Sequence, residues 1–429
     1  MAAAAAAGLI LYAAVVVVSG TVSAVSSSRA QSPPNRLLAR GRQIFRYDTF
    51  GDQAFWGGAL QLHRAIAGKA NGGVGSGLSP KAALATGLKV DATKIPRSVA
   101  AAIKAGKVNL NDPKVTLSLL RLNAVVGVRG FFQRNRLASV GITCAVCHST
   151  VDNSFAPGIG RRRDGWPNRD LNVGAIIQLA PNKKPITDLL KVDEGTVNKV
   201  LSAWGPGKFD AELFLDGKGF QPDGKTAATL IPAAFGLAGV NLHTFTGWGS
   251  VPYWNSFVAN LEMHGIGNFD DDRLNDARKF PVAARAGFAH VRHKRDLVTS
   301  KLPALHLYQL SLPIPRGRTD RAASKRGKVL FDGKARCSNC HMPPAFSDAG
   351  WNLHDPAEIC TDSFQANRSP TSRYRTTPLR GIVAKIKGGF YHDGRFKTLR
   401  TVVDHYNTCL KLGLSGSQKS DLVAYVRGL

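Results

Sequence analysis

Two short segments constrain this chain more than anything else in its 429 residues: Cys144-Ala145-Val146-Cys147-His148 and Cys337-Ser338-Asn339-Cys340-His341. C-x-x-C-H is the attachment pattern of c-type haem. Two thiols on one helical turn reach the two vinyl groups of a haem as thioethers. The following His then meets the iron from the proximal side. A shuffled chain of this composition contains one such motif about 0.002 times, so two are not an accident. Four Cys could also hold zinc, but the pairs lie 193 residues apart, from Cys144 to Cys337. Zinc knuckles sit closer, and zinc gives no reason for a His after each pair. A thioredoxin-like pair needs a βαβ context that is absent. The sequence therefore implies two covalent haems. Cys360 and Cys409 remain, either paired in an oxidising compartment or buried as free thiols.

A second repeat frames each motif. Arg40-Gly41-Arg42-Gln43-Ile44-Phe45 matches Arg326-Gly327-Lys328-Val329-Leu330-Phe331. Downstream, Leu305–Leu312 and Leu422–Leu429 share L-x-x-Y-x-x-x-L, a stripe along one helical face. The order is opening helix, haem motif, closing helix, twice over. Internal repetition of this kind predicts two related haem domains, at 38–312 and 325–429, joined by the proline-rich, basic linker 313–324. The second copy is compact: Phe331 stands six residues before Cys337, whereas Phe45 stands 99 before Cys144. The first domain thus carries large helical and loop insertions. Ser79-Pro80 and Asp112-Pro113 read as helix starts, with helical runs over 81–89 and 114–126. Ser415-x-x-Gln418 reads as a capping box. Period-2 strands are scarce, so the fold class expected is all-α, two cytochrome c-like domains.

The first thirty residues differ from the rest. Ala2 to Val18 is small and apolar without a charge, followed by small residues at Val22-Ser23-Ala24 and Ser28-Arg29-Ala30. Segment 1–30 reads as a signal peptide or an N-terminal anchor, and both export the remainder to the periplasm or beyond. The formal charge is +28, from 57 Lys plus Arg against 29 Asp plus Glu. Only Arg29 leaves with the leader, so the excess belongs to the exported chain. An exported basic haem protein suits an acidic redox partner or an anionic membrane surface. Dispersed basic residues in an exported chain argue against nucleic acid. Arg161-Arg162-Arg163, near the first motif, is a candidate for docking or for haem propionates.

The C-terminal segment carries a family resemblance. Thr377-Pro378-Leu379-Arg380-Gly381, Gly389-Phe390-Tyr391-His392-Asp393-Gly394-Arg395 and Thr398-Leu399-x-x-Val402-Val403-Asp404-His405-Tyr406 resemble the second haem domain of bacterial di-haem cytochrome c peroxidases and the MauG enzymes. The distal ligand of that haem follows the motif's His by fourteen residues. Fourteen after His392, itself a cofactor-binding candidate, is Tyr406, so the resemblance implies His341/Tyr406 ligation, with His405 as the alternative or Tyr406 as a core aromatic. In the same family a Glu in an N-P-x-E-M-like stretch is the distal acid of the first haem. Ala259-Asn260-Leu261-Glu262-Met263-His264 resembles it, one residue shorter and without the Pro. Glu262 is then the general acid/base. A carboxylate beside a ferric iron can move a proton from the inner to the outer oxygen of peroxide, so that water leaves.

The departures are informative. No His lies between His148 and His243, and Asp164 stands where a gating loop His belongs. That implies a permanently open first haem. The family's interdomain calcium expects Thr and Pro where this chain has Lys387 and Gly389. An ammonium repels a cation, which argues against calcium. Trp166, Trp248 and Trp254 are the candidate bridges between haems.

Three functions follow from these readings. The first is a peroxidase or MauG-like oxidase, taking hydrogen peroxide at the His148 haem and passing electrons through the His341 haem. The second is a non-catalytic di-haem electron carrier, with Met263 on an iron. The third is an oxygen-activating di-haem dioxygenase acting on an organic substrate in a pocket built by the insertions.

Overall fold

The computed structural model describes residues 33–429. The leader at 1–30 lies outside the described residues. Among those described, no helix is long and apolar enough to cross a membrane.

The opening helix α1, Pro33–Tyr47, leads through a loop-rich segment to a β-hairpin, β1 Val128–Gln133 and β2 Arg136–Ile142. That hairpin delivers the short helix α2, Ala145–His148, with β3 Ser149–Val151 and β4 Arg162–Asp164 pairing just after it. Helix α3, Val251–Phe257, runs into a π-turn at Val258–Glu262, and α4, Leu302–Leu310, closes the N-terminal half. The C-terminal half opens with α5, Arg321–Asp332, and ends with α6, Leu399–Cys409, and α7, Gly416–Gly428.

The sequence repeat meets itself in space. Helix α1 packs on α4, and α5 packs on α7. A Cβ on Gly41 would collide with the Ala304 carbonyl and the Tyr308 side chain, and one on Gly327 with the Asp421 carbonyl and Tyr425. Both crossings are too close for any residue but glycine. The repeated aromatics also meet: Phe45 edges onto Tyr308 at 5.6 Å and Phe331 onto Tyr425 at 5.1 Å. The pair frame is a shared solution in both halves, one small residue at the crossing and one aromatic pair beside it.

Local signals hold where they are caps. Ser79 accepts from the Ala82 amide at 3.2 Å and Asp112 from the Lys114 amide at 2.8 Å. Ser415 and Gln418 form the reciprocal capping box that starts α7. The runs expected after the first two caps are shorter, Pro80–Ala85 and Pro113–Arg121. Gly87 ends the first of them, at φ +84° and pressed against the backbone of Asp170; beyond it Val90–Asp91 pairs as a strand with Ile159–Gly160.

The fold class is helical but not all-α. Five two-stranded sheets occur among the described residues. The β1–β2 hairpin escapes a period-2 reading because its register shifts between Phe131 and Phe132. Such a bulge puts one residue out of step and breaks the alternation. The hydrophobic core is divided likewise. One cluster centres on Trp204, Leu201, Leu60 and Leu120 in the insertions, and another on Phe331, Ile382 and Leu422 in the C-terminal half.

Candidate haem centres and the buried distal carboxyl

The first centre is built by the hairpin. Strand β2 ends at Ile142, and Cys144, Cys147 and His148 follow on one turn, both thiols free. Nδ1 of His148 donates to the carbonyl of Pro232 at 3.0 Å. That bond fixes the tautomer and leaves the Nε2 lone pair for a metal. Burial pushes His148 down to about 4, so the ring is neutral at physiological pH. Burial also pushes the Cys144 and Cys147 thiols up to about 12.

These residues line a cavity of about 310 Å³ whose walls are overwhelmingly apolar. Glu262, Met263 and Trp254 line the same cavity. Glu262 ends the π-turn after α3, a helical irregularity that often marks a functional site. The turn is locked from outside: Asn260 Nδ2 donates to the Ser256 and Asn268 carbonyls, and Trp56 Nε1 to the Met263 carbonyl at 3.0 Å. Oε2 of Glu262 is buried without a partner. Burial first, and then Glu212 and Asp210, raise its carboxyl well above the ordinary range. The sequence reading passed over His264. It too lines the cavity, at φ +58° and stacked on Phe55 at 3.6 Å, and burial pushes it down to about 4. Its only sequence signal was adjacency to Met263.

The second centre sits after α5. Cys337–Asn339 makes a single 3₁₀ turn, and the His341 amide donates back to the Cys337 carbonyl at 2.9 Å. Nδ1 of His341 donates to the Phe346 carbonyl at 3.0 Å, repeating the geometry of His148. Burial again pushes the imidazole down, to about 4. Tyr406 lies on α6, and burial first raises its phenol, with the Tyr391 hydroxyl opposing the shift and the Cys340 and Cys337 thiols adding to it. Its ring is 6.2 Å from that of Tyr391. His405 packs on Phe396 at 4.8 Å, its Nε2 buried and unpartnered. Cys360 and Cys409 form a disulfide with Cα atoms 6.2 Å apart, tying the end of α6, three residues beyond Tyr406, to the segment at 355–363.

Other sequence candidates fall elsewhere. His392 stacks on Tyr374 at 5.2 Å with Nε2 3.8 Å from Asp362, and its carbonyl accepts from the Leu230 amide at 2.7 Å. It therefore sits where the two halves meet. Asp164 does not face the first cavity. It is a buried clasp, accepting from Arg46 Nε at 2.5 Å, Tyr308 Oη at 2.6 Å and Ser149 Oγ at 2.8 Å. It joins α1, α4 and the β3–β4 pair. Arg162 is not a docking residue: its side chain is 2% exposed and lies 3.3 Å from Asp91. Trp254 alone of the three tryptophans lines the cavity; Trp248 is core, and Trp166 lies under the Arg163 guanidinium at 4.6 Å.

Both centres fit a covalent haem. Each offers two free thiols and a neutral His with a preset Nε2. Three further cations lie where the halves meet, Arg169 buried and Arg375 and Lys385 half-buried. Arg169 Nε and Arg375 Nε have no partner, and Arg375 lines the first cavity. Burial, with Arg375 and Arg169 nearby, pushes Lys385 down to about 7. Backbone carbonyls take Arg169 Nη1, Arg375 Nη1 and Lys385 Nζ, but no carboxylate does, and haem propionates would supply the missing anions. Among the described residues, Cys340, Asp348 and His354 form one cluster of metal-ligating type. A thioether at Cys340 removes the thiolate that such a site would require.

No family model matches the chain. Among curated proteins it is similar to methylamine utilization protein MauG of Methylophilus methylotrophus, 29% identical over 126 residues, covering 25% of this chain and 36% of that protein. MauG of Methylorubrum extorquens is 33% identical over 90 residues, 20% of this chain and 25% of the relative. Cytochrome-c peroxidase IdrP1 of Denitromonas iodatirespirans is 26% identical over 243 residues, 41% and 64% of the two chains. The chain thus spans about a third of the length of the first of these relatives. A solved MauG-like protein associated with microbial copper homeostasis is 17% identical at a TM-score of 0.32, covering 51% of this chain and 79% of that one, a likeness too slight to bear on the fold. The curated relationships, like the paired C-x-x-C-H motifs, make the chain similar to MauG and to the di-haem cytochrome c peroxidases.

Proposed function

We propose that this chain is an exported di-haem oxidoreductase that takes hydrogen peroxide at the His148 centre and passes electrons through the His341 centre, with an acidic electron-transfer protein as partner. The two haem domains are 38–312 and 325–429. The observation that carries the reading is the carboxyl of Glu262, buried, unpartnered and lining the cavity of the first C-x-x-C-H motif.

A haem bound there supplies the redox iron. The chain's own residues do the rest. His148, held by Pro232, fixes the proximal side. The apolar walls exclude water, which strengthens every charge interaction inside. Glu262 accepts a proton from one peroxide oxygen and returns it to the other, so that the leaving group is water. Its raised affinity for protons, caused by burial, brings it closer to neutrality, where a group that must both take and give a proton works best. At the second centre His341 and Tyr406 would hold the iron of a bound haem, with the C-terminal half as the electron conduit.

A second reading has one observation in its favour. Met263 lines the same cavity, as an electron carrier with His/Met ligation would require. The ferric spectrum separates the two. A high-spin signal from one haem and rapid reaction with peroxide support the enzyme; two low-spin haems indifferent to peroxide refute it. Glu262→Gln removes the titrating proton while keeping the shape. It is expected to slow the peroxide reaction about 10²- to 10⁴-fold at unchanged haem content. An unchanged rate overturns the acid/base role.

A further inference from the structure

The superfamily resemblance implies a calcium ion between the domains, close to Lys387–Gly389. The atoms at that place do not suit one. Calcium takes six to eight oxygen ligands. Here the available oxygens already accept from N–H donors. Asp170 is the acid at the junction: Oδ1 accepts from Lys387 Nζ, and Oδ2 from Lys89 Nζ at 2.7 Å. The Lys387 carbonyl accepts from Arg169 Nη1 at 3.4 Å. The Asn168 side-chain oxygen faces the Asp170 amide at 3.4 Å, and its Nδ2 donates to the Gly87 and Val146 carbonyls. Charge points the same way. Lys89 and Lys387 both hold the one carboxylate, the Arg169 guanidinium takes the Lys387 carbonyl, and Lys385 lies half-buried two residues before Lys387.

We infer that Lys387 bridges the two halves in place of calcium: its ammonium joins that of Lys89 on Asp170, and no divalent ion is needed. The bridge has a defined position. Asn168, two residues before Asp170, donates its amide to the Cys147 carbonyl at 2.8 Å, within the first haem motif. Lys387 lies five residues before His392. The ion pair therefore pins the chain that leaves the first haem motif to the chain that enters the His392 segment. Lys387 is 64% exposed and Asp170 33%, while Lys89 is 7% exposed. Lys89 is thus the fixed anchor and Lys387 the arm that reaches across from the C-terminal half.

The test uses the full-length holoprotein. It is dialysed against EGTA, its calcium content measured by atomic emission, and its thermal midpoint and ferric Soret band recorded in EGTA and in millimolar calcium chloride. The expected result is far less than one calcium per chain, with midpoint and Soret band the same in both. K387T, which restores the residue type the family places there, lowers the midpoint by about 2 °C, and K387R restores it. Stoichiometric calcium, or a wild-type midpoint or Soret band that shifts with EGTA, overturns the inference. So does K387T with an unchanged midpoint in EGTA. The peroxide reaction is not the readout, so failure here leaves the proposed activity standing.

Discussion

Arg368 ties the two halves together through a buried ion pair. It belongs to the C-terminal half and is 1% exposed, yet its partners are N-terminal. Nε and Nη2 donate to the two oxygens of Asp216 at 2.8 and 3.0 Å, a fork-on-fork pair. Nη1 lies 3.0 Å from Asp210 Oδ1, and Nη2 also donates to the Lys218 carbonyl at 3.0 Å. Asp210 and Asp216 are fully buried, and Glu212 is nearly so. Three carboxyls share one guanidinium. Burial accordingly raises Asp210 and Glu212, with Arg368 opposing it.

Arg368→Met keeps the stem and removes the charge. Removing one partner of a buried pair costs about 3–5 kcal/mol, because the other is left charged in a poor solvent. For comparison, Lys184 and Asp188 form an i, i+4 pair with side chains 74% and 56% exposed, and losing that pair costs at most about 0.5 kcal/mol. The variant also carries a pH signature. Its orphaned carboxyls have folded pKa values raised above the unfolded ones. Their contribution is intact below the ordinary carboxyl range and is lost as pH rises through the raised values, by up to about 1.4 kcal/mol per unit per group. The penalty should therefore be large at neutral pH and shrink on acidification. The assay is guanidinium unfolding of wild type and variant holoprotein, followed by far-ultraviolet circular dichroism across that pH range. A penalty near that of Lys184→Ala, or one independent of pH, refutes the argument.

Two further outcomes follow from buried oxygens. Tyr406→Phe removes the proposed sixth ligand and should turn the low-spin ferric signal of the His341 haem into a five-coordinate one; an unchanged low-spin signal rejects Tyr406 as ligand. Asp52 is fully buried, its Oδ2 accepting from the Ile142 amide at 3.2 Å and its Oδ1 unpartnered, and burial pushes the carboxyl up to about 9. Its stabilising contribution is present below the ordinary carboxyl pKa near 4 and is lost as pH climbs toward 9, at up to about 1.4 kcal/mol per unit. Asp52→Asn keeps the acceptor and removes the charge, so it should gain on wild type steadily between pH 6 and 8. Parallel stability curves in that range would sink this assignment.

What was legible in the sequence is what local chemistry dictates. The C-x-x-C-H spacing is set by one haem and one helical turn, so it survives any surroundings. Gly41 and Gly327, with Phe45, Phe331, Tyr308 and Tyr425, were legible because a close helix crossing demands the same residues each time it is built. The misreadings share a cause. Asp164 stands where a gating loop His belongs, but its partners Arg46 and Tyr308 lie 118 and 144 residues away. Arg368 carries no local signal, since its carboxylate partner Asp216 is 152 residues distant. Arg162, a candidate for docking or for haem propionates, faces Asp91 from the interior. The pairing of Cys360 with Cys409 was open for the same reason. A charge without its partner looks solvated, because a lone charge is stable only in water. The excess of +28 is therefore not all surface. Arg169, Arg375 and Lys385 are held by backbone carbonyls and by no carboxylate, so the propionates of a bound haem would meet part of the excess. The rest is on the outside and available to an acidic partner, which predicts docking that weakens with salt while the internal cations hold.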